Sequence, residues 1–263
     1  MNRTYASLAQ LLDVAEREGT AIQQLSAEAA LTLEDAYAVQ RAGTALREAR
    51  GERVSGVKLG FTSRAKAEQM GVSDVIIGVL TTAMAATNNA PFDMRRAIHP
   101  RIEPEIAFLL GHDIDAKSPV ADVAAAVTHV APALEVIDSR YRDFRFDLTD
   151  VVADNASAWA YTVGEWVPVA QVSAELDLAA LDVVLTVDGA EAARGSTADI
   201  LGDPWAALPA ARRLAAEHGQ ALRCGGVLLA GAATAAVSLQ AGFTVTAAVA
   251  GLGSVTLPTS DLA

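Results

Sequence analysis

The sequence predicts an α+β fold in which a helical N-terminal region precedes a strand-rich domain. Apolar residues recur at helical spacing through residues 1–50. From Val54 the pattern changes to short apolar runs separated by Gly, Pro, Asn and Asp. These runs do not alternate regularly with helical segments, which argues against a doubly wound parallel sheet. We therefore divide the chain into a helical region, 1–53, and a β-rich domain, 54–263.

Two helices are expected in the N-terminal region. The first has its apolar positions at helical spacing, at Leu8, Leu11, Leu12 and Ala15. Residues 32–35 read Thr-Leu-Glu-Asp, a pattern typical of a helix N-cap, and they open the second helix. Gly51 is expected to end that helix.

The β-rich domain is expected to contain seven strands and three helices. Because Pro favours the first helical position, we expect a helix beginning at 118–119 and another over 203–219. A shorter helix is expected over 63–71. The strand candidates are 54–59, 101–110, 130–137, 158–163, 181–187, 226–230 and 243–249.

Composition and charge exclude several classes of protein. Of 263 residues, 52% are hydrophobic, which is too many for a disordered chain. The net charge of −12 would repel nucleic acid, so we expect no such partner. Cys224 is the single cysteine, which excludes a disulfide scaffold and a multi-thiolate metal site. These properties predict an acidic cytoplasmic protein.

One long stretch, between Arg223 and Asp261, contains no charged side chain. Glycines interrupt it repeatedly, so no run of about 20 apolar residues remains to span a membrane. Residues 243–246 alternate between apolar and polar as a strand does. We therefore expect a buried sheet here and no membrane association.

Three acidic residues lie within apolar strand candidates. Strand geometry puts Glu103 and Glu105 on one face, about 7 Å apart along the chain. Glu135 has apolar neighbours on both sides, and a buried unpaired carboxylate would be costly. Carboxylates without thiolate or His partners suit Mg²⁺ or Mn²⁺. A metal site and a solvated strand face both remain open at this point.

Lys58 and the polar segment 154–157 are weaker candidates. Lys58 lies in an apolar strand flanked by glycines, either as an edge-strand charge or as a functional cation beside an anionic ligand. The segment 154–157 is either a loop at a strand end or part of a pocket wall. Residues 194–197 are typical of a turn, which could hold an anion. His218, just before Gly219, is interpreted as a helix C-terminal residue.

Six segments occur together in the order found in one protein family. The chain resembles the 2-keto-4-pentenoate hydratase and 4-oxalocrotonate decarboxylase family, within the fumarylacetoacetate hydrolase superfamily. The resemblance covers nearly the whole chain and is densest over 54–160. The segments are GVKLGFTSRAKAEQMGV (56–72), HPRIEPEIAFLL (99–110), APALEVIDSRYRDF (131–144), VVADNAS (151–157), GSTADILGDP (195–204) and LAGAATAAV (229–237).

The resemblance implies a fold and a set of site residues. It implies a mixed β-roll core of the fumarylacetoacetate hydrolase C-terminal type, with 54–263 as the catalytic domain. It also implies a divalent metal, Mg²⁺ or Mn²⁺, held by Glu103, Glu105 and Glu135. Lys58 matches the family's active-site lysine, and Ser157 matches a serine of the substrate pocket.

The choice between the two branches of the family rests on one short segment. Hydratases carry an acidic residue shortly before the glycine that is Gly78 here, and Ile76 stands in the matching position. Addition of water needs a proton donor, which isoleucine cannot supply. An apolar wall instead favours loss of CO₂ from a carboxylate. We therefore favour the decarboxylase branch, although a shift in register would bring Asp74 to this position.

The activity implied is decarboxylation of 2-oxo-3-hexenedioate to 2-hydroxypenta-2,4-dienoate and CO₂ in meta-cleavage catabolism of aromatics. The metal would act as a Lewis acid, and Lys58 would stabilise the enolate or hold a substrate carboxylate. A hydratase acting on the dienol, an acylpyruvase-like hydrolase and a non-catalytic scaffold for a partner hydratase are the alternatives. The expected partners are a dicarboxylate 2-oxo acid, the pathway hydratase and further copies of the chain.

Overall fold

The described residues of the computed structural model are 4–27, 30–63, 74–115 and 118–261. They form five α-helices, each separated from the next by turns or strands. The predicted helix over 63–71 lies outside the described residues, apart from Ser63. The helices are α1 (Tyr5–Glu18), α2 (Leu33–Ala49), α3 (Leu148–Ala153), α4 (Val169–Glu175) and α5 (Ala207–His218).

The helix boundaries follow the signals in the sequence. Thr32 and Asp35 form the capping box that opens α2, and each side chain accepts from the other residue's backbone N–H. Asp203 accepts from the Trp205 N–H and opens the turn that leads into α5. Gly219 ends α5 with φ 71°, a left-handed conformation that glycine adopts without strain. His218 is the last residue of α5, as predicted.

Thirteen strands form two sheets from the described residues. The sequence did not predict six of them: β2, β9, β13 and the two-residue strands β3, β7 and β11. The strands are β1 (Val54–Gly60), β2 (Ile76–Thr81), β3 (Phe92–Asp93), β4 (Arg101–Leu110), β5 (Val127–Ile137), β6 (Ala158–Val163), β7 (Val167–Pro168), β8 (Asp182–Val187), β9 (Ala190–Ser196), β10 (Val227–Ala232), β11 (Val237–Ser238), β12 (Thr244–Val249) and β13 (Gly253–Ser260).

The first sheet is mixed and has the order β2-β1-β10-β4-β5-β6, with β11 added to β4 and β7 added to β5. β1 and β10 run parallel, and the other pairs are antiparallel. Because the late strand β10 inserts between β1 and β4, residues far apart in the sequence meet in the middle of the sheet. The candidate site is built on these central strands.

The second sheet has the order β3-β13-β12-β8-β9. Most of the uncharged stretch between Arg223 and Asp261 forms the strands β10, β11, β12 and β13. The prediction of a buried sheet in this stretch is therefore correct. Their inward side chains, such as Val245 and Leu257, are fully buried against the first sheet. Within the described residues, no helix is long and apolar enough to cross a membrane.

The helix α5 covers one face of the first sheet. Its buried residues Leu208 and Ala211 belong to the same apolar cluster as Phe108 and Leu228 of the central strands. Burying a leucine fully contributes roughly 1.5–3 kcal/mol, so this face stabilises the strands that carry the site.

Two local predictions are wrong. Pro119 does not open an α-helix, because the Ser118 hydroxyl accepts from the Asp115 N–H behind it and only two short 3₁₀ turns follow before β5 begins. Residues 194–197 are not a free turn, since most of them lie at the end of β9. The turn of that hairpin is at Asp188 and Gly189, both with positive φ, a pairing that favours tight hairpins.

Candidate metal centre and active site

The three predicted glutamates come together at the centre of the first sheet. Glu103 and Glu105 lie on one face of β4, and Glu103 is directly opposite Glu135 in the antiparallel β4–β5 register. One carboxylate oxygen from each lies within 4.8 Å of the others. Their exposures are 5%, 1% and 0%. We call these three residues the carboxylate cluster.

Lys58 is the cation of this site. It is 3% exposed on β1, and its Nζ lies 3.1 Å from Glu135 Oε2. Burial lowers the pKa of Lys58, but the carboxylate cluster raises it more, so the pKa is above the ordinary lysine value. The surrounding carboxylates therefore favour the charged form of Lys58. Three carboxylates and one ammonium leave a net charge of two negative units when all are ionised.

The cluster is incomplete without a cation. Burial, followed by the neighbouring carboxylates, raises the pKa of Glu105 well above its ordinary value. Burial also raises the pKa of Glu135, against the opposing effect of Lys58. Among the described residues, Glu105 Oε1 and Glu135 Oε1 are buried without a hydrogen-bond partner. An oxygen-only, doubly negative site fits a hard divalent cation such as Mg²⁺ or Mn²⁺.

Gly231 on β10 orients one carboxylate of the cluster. Its N–H donates to Glu105 Oε2 over 2.8 Å. Gly231 has φ 124°, and an added Cβ would lie 2.0 Å from Thr62 Oγ1. A side chain here would force Thr62 or the Gly231 backbone to move, and with it the N–H that holds Glu105.

We expect Gly231→Ala to weaken Mg²⁺ binding by about 10-fold or more, the usual loss for a group that orients a ligand. Isothermal titration calorimetry measures this directly. Gly225→Ala is the matched control, because Gly225 also has positive φ but its added Cβ meets nothing within 4 Å. Wild-type affinity in Gly231→Ala would contradict the orienting role.

A strained segment faces Lys58. Asn155, Ala156 and Ser157 all have φ between 52° and 57°, the left-handed region that costs non-glycine residues roughly 1–3 kcal/mol each. Lys58 Nζ donates to the Ala156 carbonyl over 3.2 Å. Gly78 makes room, because an added Cβ there would lie 2.8 Å from the Asn155 carbonyl. Ser157 Oγ is buried without a hydrogen-bond partner among the described residues.

A cavity of about 860 Å³ opens onto the site. Lys58, Glu103 and Ser157 line it, and Glu105 and Glu135 belong to the same carboxylate cluster as Glu103 without lining the cavity. The structure thus brings all five predicted residues together. Further lining residues are Ile76, Arg101, Ile137, Phe144, Arg145, Phe146, Val151, Arg194 and Thr234.

The structure shows where Ile76 and Asp74 lie, the two residues on which the choice between decarboxylase and hydratase depended. Ile76 is 4% exposed and lines the cavity. Asp74 does not line it, and its carboxylate pairs with Arg213 Nη2 at 2.6 Å on the surface. A shifted register therefore does not supply an acid from Asp74, and this wall of the cavity is apolar.

Sequence reasoning missed several residues that shape the site. The Arg101 guanidinium lies 4.3 Å above the Phe144 ring, and both residues line the cavity. Arg101 could have been predicted, because it lies two residues before Glu103 and therefore on the same face of the strand. Nothing in the sequence marked Phe144, because its position depends on the turn after β5.

Comparison with known proteins places the chain in a family. The fumarylacetoacetate (FAA) hydrolase C-terminal model matches residues 53–258, and the chain belongs to this family. A 4-oxalocrotonate decarboxylase from Pseudomonas sp is 47% identical over 253 residues, covering 96% of this chain and 97% of the relative. A 2-keto-4-pentenoate hydratase from Paraburkholderia phymatum is 38% identical over 221 residues, covering 84% and 83%.

A solved structure agrees in both fold and sequence. The 4-oxalocrotonate decarboxylase from Pseudomonas putida G7, complexed with magnesium and adipate, superposes with a TM-score of 0.91 at 35% identity, covering 97% of each chain. These comparisons confirm the predicted family, the fold class and the enzyme type, a carboxy-lyase. The magnesium in the relative agrees with the cation that the carboxylate cluster fits.

Proposed function

We propose that the chain catalyses metal-dependent decarboxylation of 2-oxo-3-hexenedioate to 2-hydroxypenta-2,4-dienoate and CO₂, a step of meta-cleavage catabolism of aromatics. The observation that carries this proposal is a buried carboxylate cluster, paired with Lys58, opening onto a cavity with an apolar wall at Ile76. The decarboxylase relatives support it, and the adipate of one relative is a dicarboxylate of the proposed substrate's chain length.

Each site residue has a proposed role. Glu103, Glu105 and Glu135 would hold Mg²⁺ or Mn²⁺. When bound, such an ion supplies Lewis-acid stabilisation of negative charge on the substrate's 2-oxo acid group. Ser157 Oγ, buried on the cavity wall, would donate a hydrogen bond to a substrate oxygen.

The bond changes follow from the substrate's conjugation. The C6 carboxylate is vinylogous to a β-keto acid. Breaking the C5–C6 bond therefore releases CO₂ and moves the electron pair through the conjugated chain to the C2 oxygen, which then takes up a proton. We favour enolate stabilisation as the role of Lys58, because Nζ lies 3.1 Å from Glu135 and therefore beside the 2-oxo end of the substrate.

Ile76 separates decarboxylation from hydration. The apolar wall at Ile76 cannot position water or donate a proton, so it favours decarboxylation over hydration. The hydratase activity remains the second candidate, since 2-keto-4-pentenoate hydratases are 38% identical to this chain. A non-catalytic scaffold has less support, because all the residues of the proposed active site are present.

The test uses substrate labelled with ¹³C at C6. Purified protein with Mg²⁺ is expected to release labelled CO₂ and to form 2-hydroxypenta-2,4-dienoate, both followed by NMR. Conversion of the added dienol to 4-hydroxy-2-oxopentanoate without CO₂ release from the labelled substrate would show a hydratase instead. Formation of neither product would contradict both candidates.

Arg101 is expected to contribute to recognition of the second carboxylate. Its guanidinium, held over Phe144, adds positive charge to the cavity wall on the same strand face as Glu103. Because Arg101 is exposed, we expect Arg101→Met to raise KM for the dicarboxylate by only about 3- to 10-fold. Binding of a monocarboxylate 2-oxo acid inhibitor should change less. An equal loss for both compounds would contradict selective recognition.

The remaining proposals concern organisation in the cell. We propose that 54–263 is the catalytic domain, that 1–53 is a helical region packed against it, and that the enzyme is cytoplasmic. The instability of a dienol product gives a reason for a complex with the hydratase that would consume it. We also propose a homo-oligomer, and sedimentation with and without a pathway hydratase tests both associations.

A further inference from the structure

We propose that Arg140 is a positioning residue: its guanidinium fixes the backbone of residues 154–158 and thereby sets the Ala156 carbonyl and Ser157 opposite Lys58. This inference rests on the proposed function, because it assigns to Arg140 an effect on turnover at that site. Arg140 does not line the cavity and is not a catalytic residue.

The Arg140 guanidinium binds both ends of the segment. It is 3% exposed, just after β5. Nε donates to Asp154 Oδ1, and Nη2 donates to the Asp154 carbonyl, each over 2.5 Å. Nη1 donates to the Ala158 carbonyl over 3.1 Å and to the Asp138 carbonyl over 2.8 Å. One planar group therefore holds the first and last residues of the segment in fixed relation.

The segment needs such support because its conformation is unfavourable. Three consecutive non-glycine residues in the left-handed region are rare and persist only where surrounding contacts determine them. The Asn155 side chain is a second anchor, since it accepts from the Val79 N–H and donates to the Val79 carbonyl, each over 2.8 Å. Arg140 and Asn155 hold the segment from two sides.

The held segment in turn positions the catalytic ammonium. Lys58 Nζ is shared between the Ala156 carbonyl at 3.2 Å and Glu135 at 3.1 Å. If the Ala156 carbonyl moves, the ammonium loses one of its two contacts and is no longer held in one position beside the substrate. A lysine at position 140 keeps the charge but lacks the planar fork that reaches both carbonyls.

The test is Arg140→Lys in the full-length enzyme with saturating Mg²⁺. Because a misplacement of about 1 Å can cost about 100-fold in rate, we expect kcat per folded molecule to fall about 10- to 100-fold. KM and the Mg²⁺ dissociation constant should change less than about 3-fold, since the carboxylate cluster is untouched. Hydrogen exchange of the Ser157 amide, which donates to the Asp154 carbonyl over 2.9 Å, should become faster.

The control separates positioning from general stability. Thr259→Val removes a buried hydroxyl that donates to the Gln240 carbonyl in the second sheet, away from the cavity. It should lower the thermal midpoint without changing kcat. The proposal is overturned if Arg140→Lys behaves in the same way, or if its loss of kcat is matched by an equal loss of Mg²⁺ affinity.

A second variant covers the case in which Arg140→Lys does not fold. Asp154→Asn keeps the three backbone carbonyl contacts of Arg140 but weakens the side-chain contact. We expect about a 3- to 10-fold loss of kcat and faster Ser157 exchange. Unchanged kcat and exchange would overturn the proposal. Hydrogen exchange needs no substrate, so it tests whether Arg140 holds residues 154–158 even if the wild-type enzyme releases no CO₂. Absence of CO₂ release would contradict only the proposed function.

Discussion

Replacing Glu135 by glutamine is expected to abolish Mg²⁺-dependent turnover while leaving the fold intact. The change removes one of three charges from the carboxylate cluster and one oxygen that lacks a hydrogen-bond partner among the described residues. A Lewis-acid contribution of several kcal/mol corresponds to a loss of roughly 10³-fold in kcat. The apo protein should retain its stability, because reduced repulsion within the cluster offsets the lost pairing with Lys58.

Two measurements check this prediction. Calorimetry should show Mg²⁺ binding weakened by about 100-fold or more, since direct ligands matter at least as much as the groups that orient them. Glu165→Gln makes the same chemical change at an exposed position outside the cavity and should bind Mg²⁺ as the wild type does. If Glu135→Gln kept wild-type affinity, the carboxylate cluster would not be the metal site.

Lys58→Met should have the second largest effect. It removes the buried ammonium that we assign to the developing enolate, so kcat should fall about 10²- to 10⁴-fold. Mg²⁺ binding should be unchanged or tighter, because a cation 3.1 Å from Glu135 competes electrostatically with the metal. This opposite response of turnover and metal affinity distinguishes Lys58 from the glutamates.

Thermal unfolding with and without Mg²⁺ provides the control for Lys58→Met. Removal of the ammonium leaves Glu135 buried and unpaired, so the apo variant should be less stable and Mg²⁺ should restore much of the loss. Near-normal turnover in a folded, Mg²⁺-loaded variant would remove Lys58 from the mechanism.

The site could be predicted from the sequence wherever local pattern determined geometry. The two-residue spacing of Glu103 and Glu105 fixes a common strand face regardless of tertiary structure. Lys58 and Glu135 stood out because a charge within an apolar strand needs a partner. That Lys58 and Glu135 are each other's partners could not be predicted, because it depends on β10 inserting between β1 and β4.

The missed elements lacked a pattern that sequence periodicity can detect. β9 is an edge strand with mostly exposed side chains, so no apolar alternation marked it. β13 contains Pro258, which ordinarily argues against a strand interior. The left-handed conformation of residues 155–157 could not be predicted either. It depends on contacts with Arg140, which lies 14 positions before Asp154 in the sequence.

The resemblance and the structure support each other through different residues. Long ordered segments indicated the family, whereas the prediction of the decarboxylase branch rested on Ile76. In the structure Ile76 lines the cavity, and Asp74 forms a surface ion pair outside it.

The measurement that tests the central claim most directly is CO₂ release from 2-oxo-3-hexenedioate by the metal-free protein, repeated with added Mg²⁺ and then with excess EDTA. The account predicts little release without metal, rapid release and formation of 2-hydroxypenta-2,4-dienoate with Mg²⁺, and loss of activity in EDTA. Equal CO₂ release in all three conditions would contradict a metal-dependent decarboxylase built on Glu103, Glu105 and Glu135.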